Sequence, residues 1–335
     1  MQQVARRAGV APSSVSRVLS GHANVSDVLR NRVNDAVSAL GYEPNLLAQS
    51  LRRGATMTVG FVVANIANPL LAEITLGAET SFQAAGYSML VTNSMSNPVL
   101  DAEHIRLLTR RRVDGLLLSV SSENWQTTND AIERAGLPIV LVDRELDLRQ
   151  SISSVLAEHN IGVADAVRHL AAMGHTRIAL VNGPADLRPS RDRANTLRRV
   201  SRQLGISCVV RSGEFSADHG ERSVEQLLSQ PDAPTAIVVG SNQILVGVLR
   251  QLRRSKCQVP GDISIVTCDE VPLAEFLEPP LATIERNNFE MGVLAAQLLL
   301  ELISGKKART VRVPTTYHSA GSVGPAPTSQ RTKGR

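Results

Sequence analysis

The chain has 335 residues, 43% hydrophobic and 20% charged, which allows a sizeable core without cross-links and excludes a largely disordered polymer. No run of 18 apolar residues occurs, and the three cysteines (Cys208, Cys257 and Cys268) show no C-x-x-C spacing, so neither a membrane span nor a disulfide framework or cysteine zinc site is expected. The net charge of +5 is uneven: residues 1–56 carry seven arginines against three acids, residues 306–335 carry seven lysines and arginines and no acid, and the stretch between is acidic, a distribution that fits a polyanionic partner for the basic ends or a merely solvated surface.

The first residues, MQQVARRAGV, lack an apolar signal core, so a cytoplasmic rather than an exported protein is expected. Val4, Ala5 and Ala8 form a short helical stripe that Gly9 breaks. Pro12 can open a second helix, with Val15, Val18 and Leu19 as its apolar stripe and Gly21 as its end. Ser26-Asp27 signals a third helix start, whose stripe runs through Val33, Val37 and Leu40 to Gly41. Helix, glycine turn, helix, helix in so few residues suggests a helix-turn-helix module. Beyond residue 56 the period changes. Apolar runs recur at 59–64, 87–92, 114–120, 138–143, 177–181, 235–240 and 263–269, separated by stretches with helical spacing. Near-continuous apolar strands alternating with helices imply buried parallel sheets, and so many elements imply two doubly wound lobes. The segment 319–335 is small, polar and rich in Pro and Gly, and is expected to be a disordered basic tail.

At VARRAGVAPSSVSRVLSGHANVS (4–26) and RVNDAVSALGYEPNLLAQSLRRG (32–54) the chain resembles the DNA-binding head and hinge of the LacI/GalR family of bacterial transcription regulators. The resemblance continues through IANPLLAEI (66–74), RRVDGLLLS (111–119), LVDR (141–144), MGHTRIALVNGP (173–184), VPGDISIVTCDE (259–270) and PPLATIERN (279–287), in the family's order and over nearly the whole chain. It implies an all-α helix-turn-helix head at 1–43, a hinge helix and linker at 44–56, and a two-lobed body at 57–318 of the periplasmic-binding-protein type. In that body lobe 1 takes about 57–156 plus 288–316, and lobe 2 about 157–287. The implied protein is a cytoplasmic, nucleoid-associated homodimer without a cofactor. It reads a near-palindromic operator in double-stranded DNA, probes no membrane, and answers to a small-molecule effector such as a sugar.

The resemblance places the second helix in the major groove. Pro12 and Ser13 stand at its first turn. Arg17 suits guanine O6 and N7, Ser14 and Ser16 suit phosphate oxygens, and Asn24 and Ser26 follow in the turn. In the hinge, Asn45 and Gln49 are candidates for groove or phosphate contacts, and Leu51 matches the leucine that wedges between base pairs. In the body, effector candidates are Leu70, Leu71, Asp143, Arg193, Phe215, Asn242 and Asp269. Carboxylates accept from hydroxyls, arginine donates to them, and ligands of such folds lie outside the carboxyl ends of the strands. The same residues could equally be strand-end or capping groups without a ligand. Leu70 and Leu71 stand where the family commonly has aromatics, Cys268 where it has a phenylalanine and Gln243 where it has an aspartate, which leaves the effector open. Met1 falls inside the family's first helix, so a start upstream is an open expectation.

Two other classes remain for comparison. A solute-binding protein without a DNA role would need only the body, and would leave the basic helical head without a purpose. An α/β enzyme would need a motif that the sequence lacks: there is no G-x-G-x-x-G after the first strand, no G-x-x-x-x-G-K-[ST], no H-E-x-x-H and no G-x-S-x-G elbow for Ser190, His219 and Asp269. No metal site is expected from the scattered histidines.

Overall fold

The computed structural model describes residues 1–19, 24–42, 55–149, 152–269 and 277–327. The chain divides into two compact units, Met1–Met57 and Thr58–Arg335.

In the first unit α1 (Gln2–Ala8), α2 (Pro12–Leu19) and α3 (Asp27–Leu40) close on a small core of Val4, Ala5, Ala8, Val15, Val18, Val25, Val33 and Ala36. Valine and alanine at these helical spacings let short helices approach closely. Gly9 ends α1 in the left-handed conformation (φ 62°). Arg32, from α3, donates to the carbonyl of Ala8 at 2.7 Å, placing a cation on the free carbonyl end of α1. Ser26 caps α3 by accepting from the Leu29 N–H. No side-chain cap closes the start of α1, as expected from Met1 standing at that position.

The second unit alternates strand and helix: β1 (Thr58–Val63), α4 (Pro69–Ala84), β2 (Ser88–Asn93), α5 (Pro98–Arg110), β3 (Leu116–Ser119), α6 (Gln126–Ala135), β4 (Ile139–Val142), β5 (Ser153–Glu158), α7 (His159–Ala172), β6 (Arg177–Asn182), α8 (Arg188–Leu204), β7 (Ser207–Ser212), α9 (Ala217–Leu228), β8 (Ala236–Val239), α10 (Asn242–Arg254), β9 (Ser264–Cys268), β10 (Ala282–Glu285), α11 (Asn288–Ile303), β11 (Thr310–Pro314) and β12 (Thr316–His318). Two six-stranded sheets result, in the orders β11-β5-β4-β3-β1-β2 and β12-β10-β9-β8-β6-β7. All pairs are parallel except β10 with β12. Inner strands such as β3, β4, β8 and β9 are buried throughout, which is why they read as unbroken apolar runs.

Each sheet is the centre of one lobe, and among the described residues the chain passes between lobes three times: from β5 to α7, from β10 to α11, and from β11 to β12. Thr315, in the last crossing, donates to the carbonyl of Glu158 at 2.8 Å and accepts from the N–H of Gly162 at 3.0 Å, so it ties two crossings together. In lobe 1, α11 and α4 pack with backbones almost in contact. A Cβ on Gly292 would lie 2.0 Å from the Ile74 carbonyl oxygen, and one on Gly77 would lie 2.1 Å from that of Phe289.

The expected loose tail is corrected for residues 319–327, which pack onto lobe 2. Ser322 is fully buried; its hydroxyl donates to Ile265 O (2.7 Å) and accepts from Ala282 N–H (2.8 Å). Ala320 and Val323 pack against the lobe 2 core, and His175 lies within hydrogen-bond distance of Thr235, Ser264 and the Gly324 carbonyl. A short segment of small residues can order itself where each polar atom meets a buried partner.

Candidate DNA-reading helix and interlobe cleft

In the first unit Pro12, Ser13, Ser14, Ser16 and Arg17 all lie on α2. Val15 and Val18 face the core, and Pro12, Ser13 and Arg17 are exposed. The helical period therefore separates an apolar inner face from an outer face carrying hydroxyls and a guanidinium. Asn24 is exposed in the turn before α3. Ser26 already has a structural task as the cap of α3. The hinge candidates Asn45, Gln49 and Leu51 lie outside the described residues.

In the second unit the strand ends of both sheets face a cleft between the lobes. Lobe 1 lines it with Asn65, Asn68, Leu70, Leu71, Ser119, Asp143 and Arg144. Lobe 2 lines it with Arg193, Phe215, Ser241, Gln243, Asp269 and Arg286. The cavity is about 60 Å³, and next to it a mouth of about 400 Å³ is bounded by Asn65, Ser96, Ser121, Arg144, Glu214 and Phe215. Six of the seven effector candidates thus line one space. Asn242 does not; its side-chain amide donates across the cleft to Asn68 Oδ1 at 3.1 Å, while its neighbours Ser241 and Gln243 line the cavity.

The cleft floor is ionic. Asp269 follows β9 and pairs with Arg286 at 3.0 Å, with Arg193 at 3.9 Å. Asp143 follows β4 and is already engaged on both oxygens. Oδ1 accepts from Arg188 (3.0 Å) and from Ala157 N–H (3.1 Å); Oδ2 faces His159 Nε2 at 3.0 Å and Arg286 at 3.7 Å. Burial by itself would raise the Asp143 pKa, but His159, Arg286 and Arg188 together hold it well below the usual carboxylate value. Burial pushes His159 down to about 4 against the pull of Asp143, so at neutral pH its Nε2–H donates to the carboxylate as an uncharged ring. Burial also pushes the Cys268 thiol up to about 11, so it remains a neutral packing group beneath Asp269.

Several buried polar atoms here have no partner among the described residues: Arg193 Nε and Arg286 Nε in the cavity lining, and Asn242 Oδ1 beside it. Each costs about 1–3 kcal/mol if left so, and a polar guest would satisfy them. Arg286 was not singled out from sequence, although it ends β10 as Asp143 and Asp269 end β4 and β9. The same strand-end rule applied to ATIE (282–285) finds it. Arg188, which bridges the lobes, carries no such signal because it opens a helix.

Comparison with known proteins finds a match in each of the two units. Residues 1–45 match the family described as bacterial regulatory proteins, lacI family, and residues 167–323 match the periplasmic binding protein-like domain. The ribose operon repressor of Escherichia coli (strain K12) is 33% identical over 325 residues, covering 94% of this chain and 96% of that protein. The solved lac repressor dimer bound to operator and the anti-inducer ONPF superposes with a TM-score of 0.84 at 28% identity, covering 96% of this chain and 98% of that one. A LacI family transcriptional regulator from Enterococcus faecium with bound ribose superposes with a TM-score of 0.71 at 26% identity, covering 80% of this chain and 99% of that one.

Proposed function

The chain belongs to the LacI family of bacterial regulatory proteins, and on that premise we propose that it is a homodimeric repressor whose operator affinity is set by a monosaccharide-sized effector, with ribose the first candidate. It is a sequence-specific DNA-binding transcriptional regulator. The outer face of α2 reads the half-site: Arg17 addresses a guanine edge, Pro12 and Ser13 make close apolar and hydroxyl contacts, and Ser14 and Ser16 hold phosphate. Asn24 and Ser26 flank it, and Asn45, Gln49 and Leu51 engage the minor groove. The protein works in the cytoplasm, on the nucleoid.

The observation that carries the effector reading is the pair of buried guanidinium Nε atoms on Arg193 and Arg286, unpartnered among the described residues, at one cleft, walled on the other sides by Leu70, Leu71 and Phe215. A sugar ring matches this mixture: hydroxyls for the arginines and Asp269, and an apolar face for the leucines and the aromatic ring. Ribose comes first because similar proteins include a ribose operon repressor matched over nearly the whole chain and a regulator with bound ribose matched over 80% of it. The protein acts by binding alone. His219, which could join Ser190 and Asp269 in a triad on paper, is instead held by Asn182 O (3.0 Å) and Ser223 Oγ (3.3 Å).

The test is binding of the full chain to a labelled duplex from its own promoter and to a shuffled duplex, at about 150 mM salt, where non-specific binding is weak. Preference for the promoter, altered by ribose, is the expected result. Absence of preference overturns the regulator reading. Preference that ribose leaves unchanged while a purine or another metabolite alters it overturns the sugar assignment alone.

A further inference from the structure

Outside the cleft, lobe 2 carries a second polar cavity, about 380 Å³, between the end of edge strand β7 and the first turns of α9. Arg211, Ser212, His219, Arg222, Ser223 and Gln226 line it, and among the described residues no carboxylate does. Neither arginine has an ion-pair partner among the described residues, although most arginines around the cleft are paired. Arg211 Nε is shut away from solvent and has no hydrogen-bond partner among the described residues. His219 is fixed: its Nε2–H donates to Asn182 O at 3.0 Å, and its Nδ1 accepts from Ser223 at 3.3 Å. The ring therefore forms a rigid back wall, and the two guanidiniums, the Gln226 amide and the Ser212 hydroxyl remain as donors. A concave site with several donors, two uncompensated cations and no acid has the chemistry of an oxyanion receptor.

We propose that this cavity binds a phosphate group, either free phosphate or the phosphate ester of a small metabolite, with Arg211 and Arg222 as the two cationic arms. The site is separate from the interlobe cleft but adjoins it through residues 213–216. Gly213 lies so close to His219 that a Cβ there would be 2.4 Å from the ring, and Phe215 at the other end of the loop lines the cleft. An anion held by Arg211 and Ser212 therefore braces the loop that presents Phe215.

The test is calorimetric titration of the full chain with inorganic phosphate, in buffers matched to chloride in ionic strength, for the native protein, Arg222→Gln and the Arg211→Gln/Arg222→Gln double variant. Arg222 is exposed, so the single variant guards against misfolding, and unfolding followed by Trp125 fluorescence checks both. The expected result is saturable binding at one site per chain, weakened at least threefold in the single and tenfold in the double variant. Equal binding in native and double-variant protein, or no saturable binding to the native protein, overturns the proposal. Ribose 5-phosphate supplies the second arm. Tighter binding than phosphate, lost in the double variant, identifies the ester as the source; binding no tighter than phosphate identifies the free ion. Ester binding that survives both substitutions belongs to the cleft and overturns the ester arm.

Discussion

Asp143 and Asp269 end buried parallel strands in the same manner, each with a positive φ (51° and 74°), and sequence alone treats them alike. Their surroundings separate them. Asp269 has one close ionic partner, Arg286, with Arg193 farther off at 3.9 Å, whereas Asp143 is occupied by Arg188, His159 and a backbone N–H. The strand-end rule thus makes the position legible but not the task, because the partners come from α7, α8 and the end of β10, far away in sequence. His159 gives this difference a measurable sign. Its folded pKa of about 4 lies below the ordinary 6.5, so between those values the unfolded chain binds more protons than the folded one. Stability is therefore complete above about pH 6.5 and falls as pH drops toward 4, by on the order of 3 kcal/mol. Asp143, held below 3.8, adds its own loss only at lower pH. Trp125 is the sole tryptophan and sits in lobe 1, so urea unfolding followed by its fluorescence measures the effect. His159→Gln, which keeps an amide donor for Asp143, flattens the pH 6.5–4 slope. An unchanged slope would assign the acid loss to other groups.

At the scale of elements, the seven apolar runs in the sequence mark seven strands, and the others escape for physical reasons. Strands β7 and β12 mix exposed and half-buried positions, and β11 buries only Val313, since an edge strand needs little apolar surface. Strand β5 opens with two serines, and β10 is only four residues long. The segment 319–327 escapes more completely, because composition measures apolar content and this segment is ordered by hydrogen bonds. Ser322 exchanges backbone bonds with Pro280 and Ile265 and fills its hydroxyl with two more. Ser322→Ala would leave the Ala282 N–H buried without a partner, at a cost of about 1–3 kcal/mol. The denaturant midpoint falls accordingly while the slope m stays constant, because the same surface is exposed on unfolding. A midpoint within error of the native one would mean that the segment does not help to hold lobe 2.

At the scale of the molecule, a cleft ligand can act at a distance only if it favours one lobe arrangement over another, and three crossings leave the lobes free to hinge. Polar contacts across the gap hold the arrangement seen here. Glu123, nearly fully buried in lobe 1, pairs with Arg191 at 2.8 Å and accepts from the Arg188 N–H at 3.0 Å. That N–H belongs to the first residue of α8, whose cap position, Leu187, supplies no side-chain bond. A carboxylate from one lobe thus completes a helix start in the other, and opening would leave that start bare. Ser122 adds a bond to Asp186 at 2.6 Å. Glu123→Ala removes the Arg188 and Arg191 contacts without touching the cavity lining, so its effect on a cleft ligand is indirect. Affinity for the ligand that proves active falls about tenfold, equivalent to ~1.4 kcal/mol of lost preference for the closed arrangement, and small-angle scattering shows a larger radius of gyration. Because coupling between two binding sites is reciprocal, operator DNA alters that ligand's affinity by the same factor by which the ligand alters operator affinity. Glu123→Ala shifts operator affinity in the direction opposite to the ligand's own effect. A variant that loses ligand affinity with no change in operator affinity would show that lobe closure is not what the DNA-binding unit senses.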